Sequence, residues 1–149
     1  MKTLILVIAA CTMGGYVSAQ KMAENQVPAI ISKNFKAKFP AAKDVKWEKE
    51  ADDFEANFEI NKVETSALYD AKGNLKEIES EIEKSDLPKA VSETLARDFK
   101  NYKIEETSKI EKNGVITYEA EVEKGEKSID LFFDANGKFL REIPNEKKD

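Results

Sequence analysis

The side chains that most enzymes use for nucleophilic and metal chemistry are almost missing from this sequence. Its 149 residues include no histidine and one cysteine, Cys11. The sequence therefore offers no Cys/His or Ser/His/Asp set and no zinc, copper or haem ligands of the usual types. It also has no glycine-rich phosphate-binding loop. We therefore expect no enzyme activity, no catalytic residues, no cofactor and no metal site.

Carboxylates are the abundant groups that could still bind or react, since the sequence contains 29 Asp and Glu residues and 24 Lys and Arg residues. Glu119, Glu121 and Glu123 alternate along one stretch, and Glu55 and Glu59 occupy matching places earlier in the chain. Two carboxylates across a cleft can cleave a glycoside, and several converging oxygens can bind calcium. Plain solvent exposure is the commonest role for such residues, so an acidic partner-binding stripe and a calcium-binding face are the functional alternatives.

Two helices are predicted to precede these acidic stretches, because apolar residues recur there at every fourth position. Such spacing places them on one side of a helix. Pro28 and Pro88 fall in the first turns, and Pro40 ends the first helix. Ser85 or Asp86 is the expected N-cap of the second. The two apolar stripes are Val27, Ile31, Phe35 and Phe39, and then Leu87, Val91, Leu95 and Phe99.

After each helix the apolar period changes to two, which is typical of antiparallel strands with one buried face. Asp70–Gly73 and Asp134–Gly137 have the composition of hairpin turns. The helix pattern recurs after 60 residues and the strand pattern after 64, so the sequence predicts two tandem repeats in an α+β fold. We expect strands near 44–50, 53–60, 63–69 and 74–79, and near 102–111, 115–123, 127–133 and 138–143.

The first nineteen residues have the features of a secretory signal peptide. A lysine precedes a short apolar run, and Val17-Ser18-Ala19 offers small residues for cleavage. Cys11 follows a lipobox-like Ile-Ala-Ala, so a membrane-anchored lipoprotein is the minor alternative to a periplasmic or secreted protein. Cleavage after Ala19 leaves 23 basic and 29 acidic residues, a net charge of −6 that disfavours binding to nucleic acid. No transmembrane segment is expected after cleavage.

The predicted domains are a signal peptide (1–19), a first repeat (20–83), a second repeat (84–145) and a flexible tail (146–149). Within the repeats, strand alternation directs Leu68 and Phe132 away from the helix, where large apolar side chains are unusual. Trp47 is the single tryptophan, a residue type enriched at binding hot spots. These three residues either cover a sheet edge or form a contact surface. The candidate partner-binding residues are Trp47, Leu68, Phe132, Glu55, Glu119 and Glu121.

Several of these motifs resemble the PepSY-like family of exported, β-lactamase-inhibitor-like bacterial proteins. The first copy contains Val27-Pro28-Ala29, Phe39-Pro40-Ala41-Ala42 and Val45-Lys46-Trp47-Glu48. The second contains Leu87-Pro88 and Phe133-Asp134-Ala135-Asn136-Gly137. The resemblance covers nearly everything after the signal peptide.

The resemblance implies an arrangement in which both helices pack on one side of a curved sheet and the other side grips a protein. On this basis we expect a non-catalytic exported module that binds, inhibits or regulates a protein or peptide of the cell envelope through the open sheet face. The alternative is a periplasmic protein that binds a small ligand or calcium through its glutamate-rich strands.

Overall fold

The computed structural model describes residues 20–145, and these residues form an α+β fold with a mostly antiparallel sheet of nine strands and two α-helices. The predicted signal peptide, Cys11 and the predicted tail at 146–149 lie outside the described residues. The helices are α1 (Ala29–Lys38) and α2 (Lys89–Asp98). The strands are β1 (Gln20–Met22), β2 (Lys43–Glu50), β3 (Asp53–Ile60), β4 (Val63–Tyr69), β5 (Leu75–Glu81), β6 (Lys103–Lys112), β7 (Val115–Lys124), β8 (Lys127–Asp134) and β9 (Phe139–Asn145).

The chain divides into two compact units, with the division after Glu79. In the first unit, β1 to β4 pair antiparallel with their neighbours in sequence. The helix α1 covers one face of these strands because its apolar side points inward. Phe35 is the centre of this packing, since its ring lies 5.2 Å from the Trp47 ring and 5.0 Å from the Phe58 ring. The buried core of this unit consists of Val27, Ile31, Phe35, Trp47, Phe54, Ala56, Phe58, Ala67 and Tyr69.

In the second unit, β6 to β9 also pair antiparallel in sequence order, and α2 covers one face. A β-bulge interrupts the β6–β7 register between Ile104 and Glu106, and another lies between β8 and β9. Its buried core contains fewer aromatic residues than the core of the first unit and consists mainly of aliphatic residues. Its buried members are Leu87, Val91, Leu95, Ala120, Val122, Leu131 and Phe133.

Each helix is fixed to the hairpin turn of its own unit by a hydrogen bond that the sequence analysis did not find. In the first unit Asn34 Nδ2 donates to the carbonyl of Gly73 over 2.8 Å. In the second unit Thr94 Oγ1 donates to the carbonyl of Gly137 over 2.8 Å. Both glycines have positive φ, 85° and 78°, and a Cβ on Gly137 would overlap the backbone carbonyl of Ala90. Glycine is thus required at this turn both for conformation and for space.

The predicted helices and strands agree with the observed ones to within two residues at nearly every boundary. The short strand β1 was not predicted, since three residues cannot show a period. The predicted N-cap of α2 is wrong, because Ser85 and Asp86 belong to a short 3-10 helix and the residue that caps α2 is Pro88. Its backbone carbonyl accepts the N–H groups of Val91 and Ser92, at 2.9 and 3.1 Å.

Candidate functional site

The face of the strands that is turned away from the helix holds most of the predicted site residues in each unit. Alternation along β3 sends Phe54, Ala56 and Phe58 into the core and turns Glu55 and Asn57 the other way. In the second unit Ala120 and Val122 enter the core, whereas Glu119 and Glu121 do not. We call these surfaces the far face of the first unit and the far face of the second unit.

Leu68 and Phe132 lie on these faces, and each is only 4% exposed. Alternation was interpreted correctly, since Leu68 lies opposite Glu55 and Phe132 lies opposite Glu119. What the sequence did not reveal is the covering of these side chains. The guanidinium of Arg141 lies 4.2 Å from the centre of the Phe132 ring, where it covers that ring and makes a cation–π contact.

Trp47 is also buried, at 4% exposure, and it belongs to the core beneath α1. Its ring contacts Phe35 and lies 6.5 Å from the Tyr69 ring. A tryptophan that packs between a helix and a sheet in this way stabilises the fold. The burial of the ring does not favour the predicted contact of Trp47 with a partner.

Glu55 is the most unusual residue of the far face of the first unit. It is 1% exposed, although its place in an alternating strand indicated a solvated carboxylate. Burial, with a smaller contribution from the negative charge of Glu50, raises its pKa to about 8, although hydrogen bonds to Ser66 and Asn57 oppose that rise. The Oε1 atom of Glu55 has no hydrogen-bond partner among residues 20–145, and neither has Oδ1 of Asn57.

Acidic residues face one another across β2 and β3 around this buried carboxyl group. Glu48 lies directly opposite Glu55, and Glu50 lies directly opposite Asp53. Directly opposed like charges destabilise a sheet. Burial and, to a smaller extent, the neighbouring carboxylates, Glu48 first, together raise the pKa of Glu50 to about 7. Lys76 forms an ion pair with Asp53.

The far face of the second unit carries a row of three carboxylates, Glu106, Glu121 and Asp130, at directly opposed positions on β6, β7 and β8. Asn145 Nδ2 donates to Asp130 Oδ1 over 2.7 Å and the Ser128 hydroxyl donates to Glu121 Oε1 over 2.8 Å. Burial raises the pKa of Asp130 to about 6, with the charge of Glu121 adding to the effect. Glu119 and Glu121 are half-buried on this face.

Metal binding finds no support in this geometry. Within residues 20–145, no group of three or more carboxylates is arranged to hold a metal ion. Over the same range, no helix has the length and hydropathy needed to cross a membrane.

A second kind of surface lies between each helix and the strand that follows it. In the first unit this groove has a volume of about 480 Å³ and is lined by apolar residues that include Phe35, Phe39 and Val45. Its polar rim contains an ion pair between Lys36 and Glu24, 2.8 Å apart. Its polar lining residues are Glu24, Ser32 and Lys36.

Comparison with known families shows which family the chain belongs to. The family model described as beta-lactamase-inhibitor-like and PepSY-like matches twice, over residues 16–76 and 60–141. The chain belongs to this PepSY-like family. Comparison with curated proteins gave no match.

Solved structures with the same fold come from Bacteroides. A BLIP-like protein from Bacteroides fragilis NCTC 9343 is 25% identical, with a TM-score of 0.69 over 82% of this chain and 89% of its own. A DUF2874 family protein from Bacteroides uniformis ATCC 8492 is 17% identical, with a TM-score of 0.73 over 78% and 88%. A protein from Bacteroides eggerthii DSM 20697, provisionally described as periplasmic, is 16% identical, with a TM-score of 0.75 over 79% and 88%. The last two show the fold alone.

Proposed function

We propose that this PepSY-like protein is a non-catalytic, exported binding module that binds a protein or peptide partner through the far faces of its two tandem repeats. An inhibitor or regulator of an exported hydrolase is the sharper form of this proposal. Family membership supports it, since the family is described by its likeness to an inhibitor. The periplasmic description of the Bacteroides eggerthii relative supports export, as does the signal-like sequence at 1–19.

The observation that carries the proposal is the opposition of like charges on the far faces. In the second unit Glu106 faces Glu121, which in turn faces Asp130, and in the first unit Glu50 faces Asp53. A sheet selected only for stability would place opposite charges or neutral pairs at these positions. Residues that lower the stability of a fold are expected at sites that act on something else. Binding of a partner with complementary charge would offset this repulsion.

The contact surface would be formed by the partly exposed members of the far faces. Glu48, Glu50, Glu119 and Glu121 are half-buried and can meet a partner directly. Leu68 and Phe132 would then support the surface from beneath. We further propose that both helices lie on one side of the sheet, as the resemblance implies.

Site-specific photocrosslinking in the source bacterium tests this function. A benzophenone amino acid is placed at Glu48 or Glu121 on the far faces, and at Lys33 or Glu93 on the exposed helix surfaces as matched controls. We expect one envelope protein to be crosslinked from both far-face positions and from neither helix position. Crosslinks that come equally from all four positions, or only from the helices, would contradict the proposal.

A further inference from the structure

The sequence contains two asparagine–glycine pairs, and the structure holds them in opposite ways. An asparagine that precedes glycine is especially prone to lose its side-chain amide. The backbone nitrogen of the glycine can approach the amide carbon, and no side chain on the glycine hinders it. The pairs are Asn113-Gly114, at the tip of the hairpin between β6 and β7, and Asn136-Gly137, in the turn between β8 and β9.

The first pair forms an exposed two-residue hairpin turn. Lys112 and Val115 pair with each other, and Asn113 and Gly114 both have positive φ, 53° and 75°, as in a type I′ turn. All residues at 111–116 are exposed, and a Cβ on Gly114 would meet open space. Within residues 20–145, neither the N–H of Gly114 nor the side chain of Asn113 makes a hydrogen bond. The tip can therefore open locally with little loss of packing.

The second pair is held closed by hydrogen bonds on both sides. The N–H of Asn136 donates to Asp134 Oδ1 over 2.9 Å, and the N–H of Gly137 donates to the Asp134 carbonyl over 3.0 Å. Thr94 Oγ1 donates to the carbonyl of Gly137 over 2.8 Å. Gly137 also lies against the backbone of Ala90, which an added Cβ would overlap. The nitrogen that would have to attack is thus bonded elsewhere, and its peptide has little room to turn.

A third turn separates the effect of the sequence from the effect of the fold. The hairpin between β3 and β4 has the same two-residue form, with Asn61 and Lys62 at φ values of 54° and 67°. Both residues are exposed. Asn61 therefore has the turn of Asn113 but precedes a lysine, whose side chain hinders approach to the amide. Asn113 combines the exposed turn of Asn61 with the glycine that follows Asn136.

We propose that Asn113 is a site of spontaneous deamidation, at which the exported chain acquires an aspartate or isoaspartate in the hairpin tip. The backbone nitrogen of Gly114 loses its proton and forms a bond to Cγ of Asn113, the Cγ–Nδ2 bond breaks, and ammonia leaves. Water then opens the cyclic imide at either carbonyl and breaks the bond from that carbonyl to nitrogen. The net change converts an amide and water into a carboxylate and ammonium, and it does not depend on the proposed function.

The modification should leave the rest of the fold in place. Isoaspartate adds a methylene to the main chain, so the two-residue turn between Lys112 and Val115 must rearrange. Along β6 the nearest buried side chain is Ile110, at 7% exposure, and every residue from 111 to 116 is exposed. The modified chain is therefore expected to stay folded, which allows the product to accumulate.

Peptide mapping of the folded, exported chain by mass spectrometry tests the proposal. The chain is incubated in mildly alkaline buffer and then digested after glutamate, which leaves Asn61, Asn113 and Asn136 on separate peptides. Conversion is measured from the mass increase when –NH2 is replaced by –OH. Labelling by isoaspartyl methyltransferase identifies the isoaspartate product. The same chain in concentrated guanidinium chloride is the control that removes the fold.

We expect Asn113 to convert about tenfold or more faster than Asn136 in the folded chain, because the exposed tip opens more easily. Asn61 should be slower than Asn113 by about the same factor, because a lysine follows it. In guanidinium chloride the rates at Asn113 and Asn136 should lie within about threefold of each other, since no fold then protects either pair.

Exchange of the residues that follow Asn61 and Asn113 gives matched variants. Lys62→Gly suits a position with positive φ and should bring the rate at Asn61 to within about threefold of that at Asn113. Gly114→Lys copies the Asn61-Lys62 turn and should slow conversion of Asn113 by about tenfold or more. Circular dichroism confirms that both variants are folded before the rates are compared.

The proposal is overturned if Asn113 does not convert in the folded chain, or if Asn136 converts there as fast as Asn113. It is also overturned if Gly114→Lys leaves the rate at Asn113 unchanged, or if Lys62→Gly leaves Asn61 as slow as before. Each of these results would show that the exposed turn and the following glycine do not together determine the reactive site.

Discussion

Replacement of Glu55 by glutamine should change how the stability of the fold depends on pH. The folded pKa is raised from 4.5 to about 8, chiefly by burial. Below about pH 4.5 the carboxyl is protonated in both the folded and the unfolded chain. Between about pH 4.5 and 8 the folded chain retains a proton that the unfolded chain releases, so stability falls as pH rises and levels off above about pH 8.

The size of this loss follows from the shift. A difference of about 3.5 pKa units corresponds to about 5 kcal/mol, at about 1.4 kcal/mol for each unit. The carboxyl group of Glu50 lies close enough to share the titration, so the two groups lose protons as a coupled pair. We therefore expect about 2–4 kcal/mol from the Glu55 position itself. Glutamine has nearly the same volume and no charge at any pH, and so it removes this contribution.

Urea unfolding of the exported chain and of Glu55→Gln at several pH values between 5 and 9 measures the effect. The variant should match the unaltered chain to within about 1 kcal/mol at pH 5 and be more stable by about 2–4 kcal/mol at pH 9. Glu126→Gln removes a carboxylate from an exposed turn and is the control for charge alone. Parallel pH profiles for Glu55→Gln and the unaltered chain would refute the burial argument, as would a variant that is less stable at pH 9.

Three further predictions concern packing and one buried hydrogen bond, and the change in stability is measured for each by thermal or urea unfolding. Gly137→Ala should lose about 2–5 kcal/mol, because its Cβ would overlap backbone at a positive φ, whereas Gly114→Ala has open space and should lose about 1–2 kcal/mol. Equal losses would contradict the close packing. Phe132→Ala should cost about 3–5 kcal/mol since the ring is 4% exposed, and Leu140→Ala, at 44% exposure, should cost less than about 1 kcal/mol. Thr94→Val should cost about 1–3 kcal/mol by leaving a buried carbonyl without its donor, and an unchanged midpoint would show that this hydrogen bond is dispensable.

The strands and helices could be predicted from the sequence because their patterns are local. The alternation of Phe54, Ala56 and Phe58 fixes which residues of β3 enter the core, and the turn at Asp70–Gly73 fixes where β4 ends. The hydrogen bond that holds α1 to this turn was not predicted. Asn34 looks like any polar residue on the exposed part of a helix. Its alignment with Thr94, 60 residues later, is the signal that could have revealed it.

The candidate site could be predicted only in part, since period-two alternation tells which face a side chain occupies and not what covers it. Glu55 and Leu68 were placed on the correct face, but the sequence did not show that both are buried. The covering of Phe132 depends on Arg141, its cross-strand neighbour on β9. Cross-strand contacts of this kind leave no periodic signal in one sequence.

The central claim is that the far faces, and not the groove beside α1, bind a protein partner. Photocrosslinking in the source bacterium from Glu48, on the far face of the first unit, and from Val45, in the groove, tests this claim directly. The account predicts a crosslinked partner from Glu48 and none from Val45. A partner crosslinked from Val45 and not from Glu48 would contradict it.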